Sequence, residues 1–415
     1  MLRFLTAGES HGQALVGVLD GVPAGLRLDF DAITRELWRR QQGYGRGRRM
    51  RIEHDRAEIL SGVRAGETIG GPIAFVIANR DWENWQQTMH VGPVAPDAVR
   101  GPARPVVSRP RPGHADLAGT LKYDRDDVRD VLERASARET ATRVAAGAIA
   151  RQLIAALGIE VTSHVFAIGG EALDRPHAVT FDQARDIPLD TRLRCADLDV
   201  ETRMVAAIDR AREAGDTLGG AFEVVARGVP VGLGSYAQWD RRLDGRLAQA
   251  LMSIQAIKAV GIGLGPEVVH LPGSRVHDEI VLAAGGDGGV PGLARPTNHA
   301  GGLEGGVTNG EDLRVTGYMK PISTLMKPLR SVDLKTLTPE AAAIERSDVC
   351  AVPAAAVVGE AMVCLVLADA VMEKFGGDSL GELRTARDAW QTRLRARVAR
   401  AEGPGRSAAP ETPPR

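Results

Sequence analysis

The chain has 415 residues, 44% hydrophobic and 25% charged, an ordinary globular composition that rules out disorder as a whole. Its 52 basic and 53 acidic residues leave a net charge of -1, which argues against a general nucleic-acid binder. Three cysteines, Cys195, Cys350 and Cys364, form no CxxC spacing and argue against a disulfide framework or a zinc site. No apolar run reaches the ~18 residues of a membrane span.

In chain order, MLRFLTAGESHG is too short an apolar run for a signal peptide, and a soluble cytosolic protein is expected. A short strand precedes GESHG, and QALVGVLDG reads as a second. Residues 29–42 read as a helix, with Asp31 as its cap, Ile33 and Leu37 on one face and Gly43 as its stop. Residues 57–63 and 72–78 read as strands. Residues 126–157 carry the longest helical pattern, which places Arg134 and Arg138 on one face, four residues apart. Strands are expected at 159–169 and 221–228, and buried helices at 243–260 and 353–373. Glycine-rich loops fill 261–310. Residues 376–402 carry an amphipathic, charged helix, and 403–415 a disordered tail. No linker divides the rest, so 1–375 reads as one large domain of mixed α and β, an α+β fold with long functional loops.

Several motifs fit loosely. GESHG matches the nucleophile elbow G-x-S-x-G, which would make Ser10 an acyl-hydrolase nucleophile. That elbow needs a strand, a turn and a helix, and here a second strand follows. GLGSYA (232–237) matches a dinucleotide fingerprint without the helix start it needs. No P-loop or HExxH is present. The basic residues are lopsided: six are lysine and the other 46 arginine. Arg39, Arg40, Arg46, Arg48, Arg49 and Arg51 crowd one stretch. They read as a solvated face, as a short RNA contact or as an anion pocket, and the near-neutral charge and 4% aromatics favour the pocket. Lys320–Thr324 (KPIST) offers an ammonium, two hydroxyls and a turn, which suits a phosphate. Arg346 and Asp348 stand before an apolar helix.

Together these motifs resemble the chorismate synthase family. The resemblance runs from GESHG to about residue 375. It includes GYGRGRRMRIEHDRAEILSGVRAGETIGGPI (43–73), RPGHADL (111–117), RASARETATRVAAGAIA (134–150), QAIKAVGIG (255–263), GGLEGGVTNG (301–310), KPISTL (320–325) and RSDVCAVPAAAVVGEAM (346–362). Val307-Thr308 stand where the family usually has Ile-Ser. The resemblance implies a lyase that removes phosphate and a ring proton from 5-enolpyruvylshikimate 3-phosphate by 1,4-anti elimination, giving chorismate. It requires reduced FMN without net redox change. The implied fold is a helical core between two antiparallel sheets, assembled as a homotetramer.

The same resemblance implies residue roles. His11 protonates the leaving phosphate, His114 protonates reduced flavin near N1, and Asp348 assists proton removal. Arg40, Arg46, Arg49 and Arg138 bind the substrate's anionic groups; Arg40 and Arg46 also coincide with NADPH contacts of the family. Arg134, Ala135, Ser136, Gln255, Ala256, Gly305, Lys320, Pro321, Ile322, Ser323, Thr324 and Arg346 match its FMN-binding segments. Nothing resembles a separate reductase domain, so an external flavin reductase is the expected source of reduced flavin, rather than direct use of NADPH.

Overall fold

The computed structural model describes residues 1–47, 54–93, 104–282, 290–345 and 347–401. Arg48, Arg49, Arg51 and Arg346, and the expected tail at 403–415, lie outside them. The first sheet is antiparallel and built from β1 (Arg3–Ala7), β2 (Ala14–Asp20), β3 (Glu58–Ile59) and β4 (Ile73–Ala78), in the order β1-β2-β4-β3. Leu15, Leu19, Ile73, Phe75 and Ile77 point inward at alternate positions and are fully buried, whereas Leu5 and Val16 remain exposed. This period-two burial is that of a sheet covered on one face.

Four helices follow: α1 (Phe30–Gln41), α2 (Asp116–Tyr123), α3 (Arg129–Ala135) and α4 (Thr140–Ala155); α4 lies on β1 and β2 and α1 packs on α4, whereas α2 packs on α3. Beyond them comes the second antiparallel sheet, of β5 (Glu160–Ile168), β6 (Glu171–Ala172), β7 (Gly220–Arg227), β8 (Ile257–Ile262) and β9 (Leu313–Met319), in the order β8-β9-β7-β5-β6. Its central strands are buried on both faces, because α5 (Leu198–Glu213) and the short helical turn Phe181–Arg185 pack outside it. Between the sheets also run α6 (Leu243–Met252) and α7 (Val352–Phe375), and α8 (Leu380–Ala401) is the last of the described helices. The expected helical core between two antiparallel sheets is present, and one hydrophobic core runs from Leu2 to Leu383.

The α4–α7 contact is the centre of that core. A Cβ on Gly147 would lie 2.4 Å from Ala361 Cβ, so the two helices meet at a distance only glycine permits. α7 is long and apolar enough to cross a membrane, yet it is packed inside the fold. Its one buried charge, Glu360, accepts from Arg39 Nη1 and Nη2 at 2.8 and 2.7 Å, and also from Arg151 and Ser163. A buried carboxylate requires such partners, so Arg39 is a core residue rather than part of a solvated face. α8, which carries no recognised motif, donates from Arg387 Nη1 to Leu157 O at 3.0 Å and from Arg384 Nε to Ala156 O at 3.4 Å. It thereby satisfies carbonyls left open at the end of α4.

Four expectations need correction. α1 is capped by Asp29, whose side chain accepts from Ala32 N at 2.9 Å; Asp31 sits in the first turn. The segment 126–157 is not one helix: Ser136 is extended (φ -62, ψ 142), and a 3-10 turn, Ala137–Glu139, precedes α4. Arg134 and Arg138 therefore do not share a helical face. The helix expected at 243–260 ends at Met252. Ala256 turns the chain with φ 68, and the β-branched Ile257, Val260 and Ile262 enter β8. The strand expected at 57–63 adds only Glu58–Ile59 to the sheet, and Val63–Arg64 forms a separate pair with Glu67–Thr68.

Candidate active site

His11 lies in the turn between β1 and β2. Its Nδ1 is 2.9 Å from both carboxylate oxygens of Glu133, and its backbone N–H donates to Glu133 Oε2 at 2.9 Å. The ring stacks on Trp85, with centroids 3.8 Å apart and planes 16° from parallel. Arg104 covers Trp85 at 3.7 Å. Ser10 is buried, its N–H donating to Glu133 O at 3.0 Å and its hydroxyl 3.3 Å from Ser136 Oγ. The turn joins two strands, so the nucleophile-elbow architecture is absent and the hydrolase reading of Ser10 fails.

The break at Ser136 aims the neighbouring arginines in different directions. Arg134 donates to Gly8 O at 3.1 Å and Thr6 O at 2.9 Å, tying α3 to the end of β1. Arg138 is buried, with Nη1 on both oxygens of Asp55 at 2.7 and 2.6 Å and Nε on Asn79 Oδ1 at 3.1 Å. Arg40, also buried, donates to Thr140 Oγ1 at 2.8 Å and Ala137 O at 3.0 Å, and its Nη1 lies 3.6 Å from Asp55. Asp55 thus serves two of the four candidate substrate arginines, Arg40 and Arg138.

His114 is held locally. Its Nδ1 is 2.5 Å from Asp116 Oδ1 and 3.1 Å from Arg111 Nη2, and Arg111 Nε donates to Asp116 Oδ2 at 2.8 Å. Burial alone would raise the Asp116 carboxyl, but hydrogen bonds from His114 and Arg111 outweigh it and hold the group well below the usual carboxylate range. Arg111 Nη1 also reaches Thr324 Oγ1 at 3.1 Å, and Lys320 Nζ donates to Gly113 O at 2.6 Å. Burial first, and the charge of Lys258 second, push the Lys320 ammonium down. The 320–324 segment and the 111–116 segment are therefore one unit.

Further bonds extend this unit. Lys320 N donates to Ala256 O at 2.9 Å, and Gln255 Nε2 to Glu139 Oε2 at 3.2 Å, next to Ser136–Arg138. Thr217 Oγ1 donates to Ile322 O at 2.7 Å, and Leu218 N to Val349 O at 2.9 Å. Beside Val349, Asp348 accepts from Gly47 N at 2.6 Å and pairs with Arg46 Nη1 at 2.8 Å. Gly305 stands apart from this network. It turns the chain between Leu303–Glu304 and Val307–Thr308, beside the start of α6, where Leu243 N bonds Gly306 O at 2.9 Å. Gln255 follows the far end of that ten-residue helix, which is about 15 Å long.

The sequence reading missed the partners. Arg111 and Asp116 lie inside RPGHADL, where a local carboxylate next to a histidine is a visible signal. Glu133 adjoins RASARE, but nothing in the sequence pairs it with His11. Asp55 lies within the 43–73 motif with nothing there to pair it with Arg138, and Asn79 and Trp85 carry no motif.

The chorismate synthase family profile matches residues 2–372. The chain is 55% identical over 386 residues to a chorismate synthase of Geobacter sulfurreducens, covering 92% of this chain and 97% of that one. It is 59% identical over 380 residues to one of Moorella thermoacetica, covering 92% and 96%. A crystal structure of chorismate synthase superposes with a TM-score of 0.75 at 41% identity, over 95% of this chain and 98% of that one. With this profile, these relatives and the two-sheet architecture around a common helical core, the chain belongs to the chorismate synthase family.

Proposed function

We propose that the residues gathered around His11, His114 and Asp348 are the site at which this lyase converts 5-enolpyruvylshikimate 3-phosphate to chorismate. In the 1,4-anti elimination the carbon–oxygen bond to phosphate breaks, a ring proton leaves from the far carbon, and a second ring double bond forms. The observation that carries the assignment is the bonded series Thr324–Arg111–Asp116–His114 with Lys320 on Gly113. It ties an ammonium, a hydroxyl and an imidazole to one short segment, residues 111–116.

Arg40, Arg46, Arg49 and Arg138 are assigned to the substrate's carboxylates and phosphate, for which guanidinium forks are suited. His11 donates its proton to the departing phosphate oxygen, and Asp348 takes part in proton removal. His114, with Nδ1 engaged by Asp116, holds its exchangeable proton at Nε2.

Reduced FMN fits the residues assigned to it. Gln255 keeps Oε1 buried with no hydrogen-bond partner, an acceptor suited to a ligand N–H. Arg134, Ala135, Ser136, Ala256, Pro321, Ile322, Ser323, Thr324 and Arg346 complete the set, with Lys320 as the phosphate partner. The cofactor supplies transient electron density as phosphate leaves. In the homotetramer we propose, Gly305 comes from a second copy, because α6 separates it from Gln255 within one chain. We place the enzyme in the cytosol, with residues 1–375 as the catalytic unit and an external reductase supplying the flavin.

The test is phosphate release under anaerobic conditions. Release with reduced FMN and none with oxidised FMN is expected; no release with reduced FMN overturns the assignment. Flavin reduction by NADPH on the isolated protein would overturn the external reductase.

A further inference from the structure

Glu133 engages His11 through its side chain and Ser10 through its backbone. Its side chain is fully buried, while the His11 side chain is 19% exposed. Both of its oxygens meet His11 Nδ1, Oε2 also accepts the His11 backbone N–H, and its own carbonyl accepts the Ser10 N–H. Arg129, one turn back on α3, places Nη1 3.8 Å from Oε1. A carboxylate paired with a guanidinium accepts hydrogen bonds and donates none. Nδ1 is therefore the ring nitrogen that carries hydrogen in the resting pair, and Nε2, at the opposite edge of the ring, is the position that exchanges a proton with substrate. The Trp85 stack fixes the remaining freedom, rotation of the ring plane.

We propose that Glu133 is a positioning residue for the elimination: it holds His11 in the Nδ1–H form and stabilises the imidazolium from which the proton is given at Nε2. This rests on the reading of His11 as the donor to the leaving phosphate. A role confined to pinning the Gly8–Gly12 turn would need only the backbone contacts. The two 2.9 Å approaches to Nδ1 go beyond that need. An imidazole loses both orientation and cation stabilisation when its carboxylate partner is neutralised.

The test compares the full-length protein with Glu133→Gln and Glu133→Asp, with reduced FMN present for turnover. Trp85 emission, isolated by difference against Trp85→Phe, reports protonation of the stacked imidazole, with His11→Ala as the control that removes the titration. Glu133→Gln is expected to lose about 100-fold in kcat, the lower end of what a general acid contributes, with little change in KM. The pH midpoints of both Trp85 emission and kcat should fall below the native ones, and Glu133→Asp should restore part of kcat. Lost turnover with an unmoved Trp85 midpoint overturns the positioning role alone. A moved midpoint with native turnover overturns His11 as the donor, and the positioning role with it.

Discussion

His11 and His114 are fixed by the same bond, Nδ1 to a buried carboxylate, across very different lengths of chain. Asp116 is two residues from His114 and shares its turn. Glu133 is 122 residues from His11 and reaches it only because α3 is tied to the end of β1 through Arg134. The local pair needs only the turn that opens α2. The remote pair needs the first sheet and the helical layer to be assembled. Disturbance of packing should therefore reach His11 first, whereas His114 should answer mainly to changes within residues 111–116 and in the 320–324 segment bonded to them.

The largest effect expected is on the local side. His114→Ala should keep flavin binding and lose turnover by about 10²–10⁴-fold, the contribution of a general acid. Anaerobic turnover beside an FMN titration checks this, and native-like turnover would remove His114 from the chemistry. Asp116→Asn should cost less, about 10-fold or more in kcat, because it leaves the imidazole in place but misdirected.

Asp116 also makes a separate prediction about pH. Its carboxyl is held below its ordinary value of 3.8 in the folded state, where hydrogen bonds from His114 and Arg111 overcome the opposing effect of burial. A carboxyl depressed by folding adds stability above its unfolded value and loses it as pH falls toward the folded one. The gap in melting temperature between the native protein and Asp116→Asn should therefore be widest above pH 5, and it should narrow as pH drops below about 4. A gap that is constant with pH would show that the carboxylate charge is not what holds the pair.

The same distinction between local and remote governs how much was legible in the sequence. RPGHADL carries the His114 unit nearly whole, since Arg111, His114 and Asp116 are close in sequence and in space. The apolar run of α7 and the charged pattern of α8 were also readable, because helical periodicity is local. The break at Ser136 was not. The residues around it keep helical spacing, and two contacts of Ser136 Oγ interrupt them: a local cap, accepting from Arg138 N, and a tertiary one, to Ser10. The passage from α6 to β8 escaped for a related reason, since the pairing of Ile257–Ile262 with β9 overrides a spacing compatible with helix. Arg39 reads as one member of the arginine run because its partner, Glu360, lies 321 residues away.

The smallest effect tests how tightly the local unit is joined to the Lys320–Thr324 segment proposed to hold phosphate. Gly113 has φ +80, and a Cβ there would lie 3.3 Å from Lys320 Nζ. Gly113→Ala must therefore adopt a left-handed backbone, at a cost of about 1–2 kcal/mol, and it crowds the ammonium whose hydrogen bond to Gly113 O joins the two segments. Lys320 sits at the end of a flexible side chain and can shift by a few tenths of an ångström. Thr324, held through Arg111, stays in place. FMN affinity should weaken several-fold while the His11 side of the site is untouched, so the Trp85 titration should superpose on that of the native protein. If Gly113→Ala displaced the Trp85 midpoint instead, the two histidines would belong to one mechanical unit, and the contrast between a local and a remote anchor would fall.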